Sequence, residues 1–180
     1  NDHAEGLTSS QWQQTREMVR QCNAVAGDPA NPDMVTFLGW EWTQIGDKPE
    51  NHYGHKNVIL RDTEEGVVPV RPISSRQQLF PGGGNPFGTL MRLMFIASAP
   101  DSEARQAYFN FARFLQDRDE LEPCEQGKPV RDLPQGCQES APTPTELFSK
   151  LDDWGYPYLA IPHGNSWGFY TPPLSSWDKQ

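Results

Sequence analysis

A predicted helix followed by a short apolar strand occurs twice in this chain, and that order limits the folds it can adopt. Residues 12–25 repeat apolar side chains at helical spacing, and the β-branched and aromatic residues 35–42 follow as a buried strand. A helix over residues 143–154 precedes a strand over residues 158–161 in the same way. Because alternating helices and strands are typical of parallel sheets covered by helices, the sequence predicts an α/β fold.

Local signals set the limits of these elements. Ser9 and Ser10 offer N-caps to the first helix, and its apolar side includes Cys22, which is therefore predicted to be buried. Thr143 and Pro144 suit the cap and first position of the later helix, which Gly155 ends. Residues 55–61 read as a further strand, and helices are also predicted over residues 90–97 and 102–115.

The composition indicates a folded chain with long loops. Glycine and proline together account for 32 of 180 residues, only 36% of residues are hydrophobic, and the mean hydropathy is -0.72. Six Trp, nine Phe and five Tyr are nevertheless more aromatic residues than a disordered chain carries. A net charge of -9 argues against nucleic acid as a partner. The longest apolar run is too short for a membrane span.

Two of the three cysteines, Cys124 and Cys137, flank a polar loop. A disulfide between them would constrain the unfolded chain by roughly 3 kcal/mol, whereas the alternative is two unpaired thiols in an ordinary loop. We favour the disulfide, because no other feature of the segment would hold the loop. A disulfide implies an oxidising compartment.

Three of the four histidines and one glutamate lie beside predicted strands. Glu41 stands between two tryptophans near the end of the first strand, His55 opens the second, and His163 directly follows the last. His3 lies just before the first helix. In a parallel α/β fold, groups at the carboxyl ends of strands converge on one crevice, and imidazole with carboxylate suits zinc, manganese or iron.

Ordinary structural roles remain open for the same residues. A histidine after a strand is more often hydrogen-bonded within the fold than bound to metal, and Glu41 could pair with Lys56 or Arg61. The spacing of these side chains is long and irregular, unlike that of a zinc finger. Spacing alone therefore leaves the metal site undecided.

Four short motifs follow one another along the chain: DHAE at residues 2–5, GWEWT at 39–43, HKNVI at 55–59 and IPHGNSWG at 161–168. Aromatic segments follow at residues 167–173 and 176–180. Their order resembles a bacterial family of unknown function within the PHP (polymerase and histidinol phosphatase) superfamily, and the resemblance spans nearly the whole chain. For a bacterial protein, the oxidising compartment that a disulfide implies is the periplasm or the exterior.

The resemblance implies a distorted (β/α)7 barrel with two or three divalent ions, zinc, manganese or iron, on its carboxyl face. By that analogy Glu41 bridges two ions, His55 and His163 complete one of those sites, and His3 holds a third ion. Glu41 and His163 would take part in catalysis. Asp2 would fix the orientation of the His3 ring.

The chain also departs from the superfamily pattern. It contains neither the His-x-His pair of the first barrel strand nor the late Asp-x-His pair. Residues 1–180 are therefore expected to form one partial domain, the middle of the barrel. The remaining parts of the same barrel are the expected binding partner of this domain.

The function implied is a metal-dependent hydrolase that uses metal-activated water, most simply a phosphoesterase acting on a small phosphorylated ester. Lys56 and Arg61, and also Arg71, are candidate phosphate contacts. One alternative is a non-catalytic binding module with an aromatic platform made by Trp167, Phe169, Tyr170 and Trp177. Another alternative is that this chain is an inactive fragment of the enzyme.

Overall fold

A computed structural model describes residues 2–46, 48, 51–76, 86–119 and 121–163. Within these ranges the helices are α1 (Ser9–Ala24), α2 (Pro86–Ala97), α3 (Ser102–Asp119) and α4 (Pro144–Trp154). The strands are β1 (Gly27–Asp28), β2 (Asn31–Pro32), β3 (Gly39–Gln44), β4 (Gly54–Leu60), β5 (Ile73–Ser74), β6 (Glu139–Ser140) and β7 (Tyr158–His163). Short 3-10 turns lie at Ala4–Gly6 and Val130–Asp132.

The main sheet has the order β3-β4-β7, and both of its strand pairs are antiparallel. β1 and β2 form a small antiparallel hairpin, and β5 pairs with β6 in parallel. The described residues form no closed barrel, so the predicted (β/α)7 barrel and its parallel sheet are wrong. The reason is the connection between β3 and β4: residues 45–53 are too few for a parallel crossover, which needs a dozen or more residues.

The two faces of this sheet have opposite characters, because successive side chains of a strand point to opposite sides. One face carries Trp40 and Trp42 of β3 with Val58 and Leu60 of β4, all almost fully buried. These side chains form one core with Trp12 of α1 and with Leu147, Leu151 and Trp154 of α4. The opposite face carries the polar residues Glu41, Thr43 and His55.

Helix α1 begins one residue earlier than its serines suggest. Thr8 is the N-cap and forms a capping box with Gln11, which satisfies donors that the first turn leaves unpaired. Trp12 and Arg16 are the buried residues of the helix. Cys22 is exposed, against the prediction, because it lies roughly 80° around the helix from Trp12.

Helix α4 matches its prediction closely. Thr143 is the N-cap and accepts a hydrogen bond from the backbone N–H of Glu146, and Pro144 occupies the first turn. Gly155 ends the helix with φ 67°, a left-handed conformation that glycine adopts without strain. The prediction of this helix from residues 143–155 is confirmed, because all of its signals are local.

Cys124 and Cys137 are joined by a disulfide across a sequence separation of 13 residues. With Leu133 they form a small buried cluster beside the main core. The predicted pairing is thus present in the structure, and it is consistent with an extracellular location. None of the helices in the described ranges has the length and hydropathy needed to cross a bilayer.

Removing the disulfide is expected to destabilise the protein by roughly 3 kcal/mol, because the closed loop restricts the unfolded chain. The test is urea unfolding of the Cys124→Ala/Cys137→Ala double variant beside Cys22→Ala, which removes the exposed thiol and should change stability by less than about 0.5 kcal/mol. Before reduction, the unfolded wild-type protein should react with one equivalent of a thiol reagent. Three reactive thiols, or equal stability of the two variants, would contradict the pairing.

Candidate metal centre

The segment that carries His3 is held along the free edge of β3. The backbone N–H of Glu41 donates to the carbonyl oxygen of Asp2 at 2.8 Å, and His3 forms an isolated parallel bridge with Glu41. The segment therefore lies beside β3 like a very short additional strand. This pairing brings a histidine near the chain start to a glutamate 38 residues later.

A buried carboxylate fixes this segment at a second point. Glu5 is almost fully buried, and its Oε1 accepts hydrogen bonds from the backbone N–H groups of Thr43 (3.2 Å) and Ser75 (2.7 Å). The Ser75 hydroxyl in turn donates to the carbonyl oxygen of Thr43. Glu5 thus ties the turn at Ala4–Gly6 to the ends of both β3 and β5.

Strand register brings the remaining histidines together. His55 of β4 is paired with Thr43 of β3 on one side and with His163 of β7 on the other. Paired residues point to the same face of a sheet, and Glu41, two residues before Thr43, shares that face. The register therefore places Glu41, Thr43, His55 and His163 on the face opposite the tryptophan core.

Three imidazoles surround one carboxylate oxygen at this face. The distances from Glu41 Oε1 are 2.5 Å to His55 Nδ1, 3.5 Å to His163 Nε2 and 3.6 Å to His3 Nδ1. The side chains of His55 and Glu41 are 8% and 13% exposed, whereas those of His163 and His3 are 37% and 56% exposed. The cluster is therefore closed at its base and open to solvent at His3 and His163.

The surroundings keep Glu41 charged. Burial raises the pKa of this carboxyl, but its hydrogen bond with His55 and its electrostatic interactions with His3, His163 and His55 outweigh burial and hold the pKa below its ordinary value. Glu41 is consequently a carboxylate at neutral pH, the form that coordinates metal.

Thr43 is a member of the cluster that sequence reasoning missed. Its Oγ1 lies 2.6 Å from Nδ1 of His3 and donates to Oε1 of Glu41 at 3.3 Å. Asp2 is expected to orient the His3 ring, but its backbone carbonyl is the group that bonds to Glu41, and the residue is exposed. The hydroxyl of Thr43 thus makes the contact with the His3 ring that was expected of Asp2. Its position two residues after Glu41 in a strand is the signal that points to it.

The structure places Lys56 and Arg61, two predicted phosphate contacts, away from the cluster. Lys56 follows His55 directly, so its side chain points to the opposite face of the sheet, where it is fully buried. Its Nζ lies 5.0 Å from the centre of the Trp42 ring and donates a hydrogen bond to the carbonyl oxygen of Tyr53. Burial lowers the pKa of Lys56 to about 8. Arg61 lies six residues beyond His55, roughly 20 Å along the strand, and pairs with Asp62. The prediction that these two residues contact substrate is corrected.

Arg71 is likewise a structural residue. Its Nε donates to Glu139 Oε2 at 2.9 Å inside the core, and its guanidinium lies 5.2 Å from the centre of the Trp154 ring. The aromatic platform predicted at Trp167, Phe169, Tyr170 and Trp177 lies outside the described residues.

The residues of the cluster fit a divalent ion. Ligand atoms of His3, Glu41 and His55 all lie within 4.8 Å of one another. Two ligands of a tetrahedral ion lie roughly 3.4 Å apart, close to the distances from Glu41 Oε1 to His163 and His3. Nε2 of His163 is buried and has no hydrogen-bond partner among the described residues. Imidazole nitrogen with carboxylate oxygen is a donor set for zinc, manganese or iron.

The first part of the chain matches a known protein family. The model of a family described as "Protein of unknown function (DUF3604)" matches residues 1–81, less than half of the chain. The matched region contains His3, Glu41, Thr43 and His55 and ends before His163. No curated protein and no solved structure matches the chain.

This match overturns the assignment to the PHP superfamily. The matching family is one of unknown function, and nothing in the comparisons points to that superfamily. The resemblance depended on short motifs, and the antiparallel sheet shows that the same motifs here belong to a different strand arrangement. The ligand roles that the resemblance implied must therefore be judged from geometry alone.

Proposed function

We propose that this chain carries the metal site of a metal-dependent hydrolase, with His3, Glu41, His55 and His163 as the ligands. The observation that carries the proposal is the group of three imidazoles around a single oxygen of a charged carboxylate. Four separate backbone segments each bring one of these side chains to the same place. Hydrogen bonding that only holds the fold together does not need three imidazoles around one carboxylate oxygen, whereas a metal site does.

A divalent ion in this position would lower the pKa of a bound water and stabilise negative charge on the substrate. The residues of the chain would hold the ion and leave one side of it open to substrate. Glu41 would contribute negative charge at the base of the site, and Thr43 would hold both Glu41 and the His3 ring in place. His3 and His163 border the solvent-exposed side, from which substrate would approach.

We propose a phosphate ester as the substrate class. The chain is acidic, and Lys56, Arg61 and Arg71 are engaged elsewhere, so the ion itself would be the positive charge that meets the phosphoryl group. With its disulfide, the protein would work in the periplasm or outside a bacterial cell.

The test is metal content and hydrolysis measured on the same sample. The purified chain is stripped with a chelator, reloaded with Zn²⁺, Mn²⁺ or Fe²⁺, and assayed with p-nitrophenyl phosphate and with p-nitrophenyl acetate. We expect stoichiometric binding of one of these ions and hydrolysis of the phosphate ester that the chelator abolishes. Failure to bind any of the three ions would remove the basis of the proposal. Stoichiometric binding without hydrolysis would favour the inactive fragment.

A further inference from the structure

A cavity of about 450 Å³ opens beside the candidate metal centre and shares His3 with it. It lies between the segment Asp2–Leu7, one face of α1 and the side chain of Phe114 from α3. Its volume is within the range of small-molecule sites. Because His3 belongs both to this cavity and to the cluster around Glu41, a ligand in the cavity would lie next to a group bound at the cluster.

The face of α1 that lines the cavity carries uncharged polar side chains and one methionine. Gln11, Gln14, Thr15 and Met18 recur at the spacing that places side chains on one side of a helix. Met18 is 61% exposed, a large value for a methionine on a helix that packs against a core, and it is one of the residues that line this cavity. Leu7 and Phe114 add further apolar surface.

The polar groups of the stripe offer both donors and acceptors. The Gln11 side-chain carbonyl accepts hydrogen bonds from the backbone N–H of Thr8 (2.8 Å) and from its hydroxyl (2.9 Å), which leaves the amide NH₂ as a donor. The hydroxyl of Thr15 donates to the backbone carbonyl of Gln11, which leaves its oxygen as an acceptor. The cavity can therefore pair with a hydroxyl or an amide while it covers an apolar group.

The charge of the walls disfavours an anion. Asp2 lines the cavity, and no lysine or arginine is among the described residues that do so. An anionic group here would face the Asp2 carboxylate with no lysine or arginine beside it to offset the repulsion.

We infer that this cavity binds an uncharged organic group with an apolar part and a hydroxyl or amide, and that this group is the alcohol portion of the substrate. The second half of this inference rests on the proposed function, since the cluster would hold the phosphoryl group. The binding of an uncharged group concerns the cavity alone and is tested without metal or hydrolysis.

Benzyl alcohol is the neutral probe, and benzoate, which has the same ring and a negative charge, is the matched anion. The metal-free chain carries ¹³C-labelled methionine methyl groups, and the Met18 methyl resonance, assigned with Met18→Leu, reports occupancy of the cavity. We expect a saturable shift with benzyl alcohol and affinity at least about tenfold weaker for benzoate. Gln14→Trp, which fills the cavity, should abolish the shift, whereas Gln13→Trp, on an exposed neighbouring position of α1, should preserve it.

The inference is overturned if the Met18 resonance does not respond to benzyl alcohol, if benzoate binds equally well, or if Gln14→Trp binds like Gln13→Trp. Failure of the proposed function has a different signature, because the cavity would still bind benzyl alcohol in a protein that binds no divalent ion. If both bind, the alcohol portion is tested by comparing phenyl phosphate with methyl phosphate as substrates. Gln14→Trp should then raise KM for phenyl phosphate at least about tenfold more than it raises KM for methyl phosphate, whereas Gln13→Trp, which lies outside the cavity lining, should change neither value.

Discussion

Replacing Glu41 by glutamine is expected to weaken binding of Zn²⁺ or Mn²⁺ by about 100-fold or more. Partners that only orient metal ligands contribute about 10-fold to 100-fold in affinity, and Glu41 would be a direct ligand and the only carboxylate in the cluster. The substitution keeps the shape of the side chain and removes its negative charge, so the expected loss follows from charge and not from repacking. Calorimetric titration of the folded protein, after its metal has been removed with a chelator, measures the affinity directly.

The matched control is Glu17→Gln, which makes the same change of charge on the exposed side of α1. It should bind metal like the wild type. Equal affinity of Glu41→Gln and Glu17→Gln would contradict the candidate site. His3→Ala and His163→Ala should each weaken the same binding event, because both imidazoles face one oxygen of Glu41. A separate third ion at His3, which the family resemblance implied, would instead show as loss of a distinct step in His3→Ala.

Replacing Arg71 by methionine is expected to lower the free energy of unfolding by about 3 to 5 kcal/mol, because the change leaves the fully buried Glu139 without its main partner. Lys150, at 3.3 Å, would be the remaining cation near that carboxylate. Burial already raises the pKa of Glu139 despite the opposing charges of Arg71 and Lys150, so loss of Arg71 should raise it further. Urea unfolding at neutral pH, with metal removed, measures the change.

Replacing Glu139 as well as Arg71 tests whether the unpaired carboxylate causes the loss of stability. In Arg71→Met/Glu139→Leu no buried carboxylate remains unpaired, so the double variant should recover a large part of the stability lost in Arg71→Met. Arg61→Met is the matched control, since Arg61 is exposed and pairs with Asp62 at the surface; its unfolding midpoint should not move measurably. If Arg71→Met also unfolds like the wild type, the ion pair does not hold β5 and β6 in the core as the structure indicates.

The position of Lys56 illustrates a local rule of strand geometry. Lys56 is one of the cationic residues predicted to contact phosphate, and it adjoins His55, yet adjacent residues of a strand point to opposite faces of the sheet. Arg61 fails for a related reason, since six residues of extended chain carry it far from the cluster. The same rule, applied to Glu41, identifies Thr43, which shares its face and contacts both Glu41 and His3.

Local chemistry in the sequence was sufficient for α4, whose cap, proline and terminal glycine all lie within 13 residues, and for the choice of Cys124 and Cys137 as partners. It also offered His3, Glu41, His55 and His163 as candidate ligands by residue type and, for the last three, by their position beside strands. The direction of the strands and the contacts among those four side chains depended on tertiary structure. β4 pairs with β7 across about a hundred residues of intervening chain, and the segment of His3 pairs with β3 across α1. Such pairings are selected by burial of Trp40, Trp42 and their neighbours in one core, a property of the assembled chain that no local motif encodes.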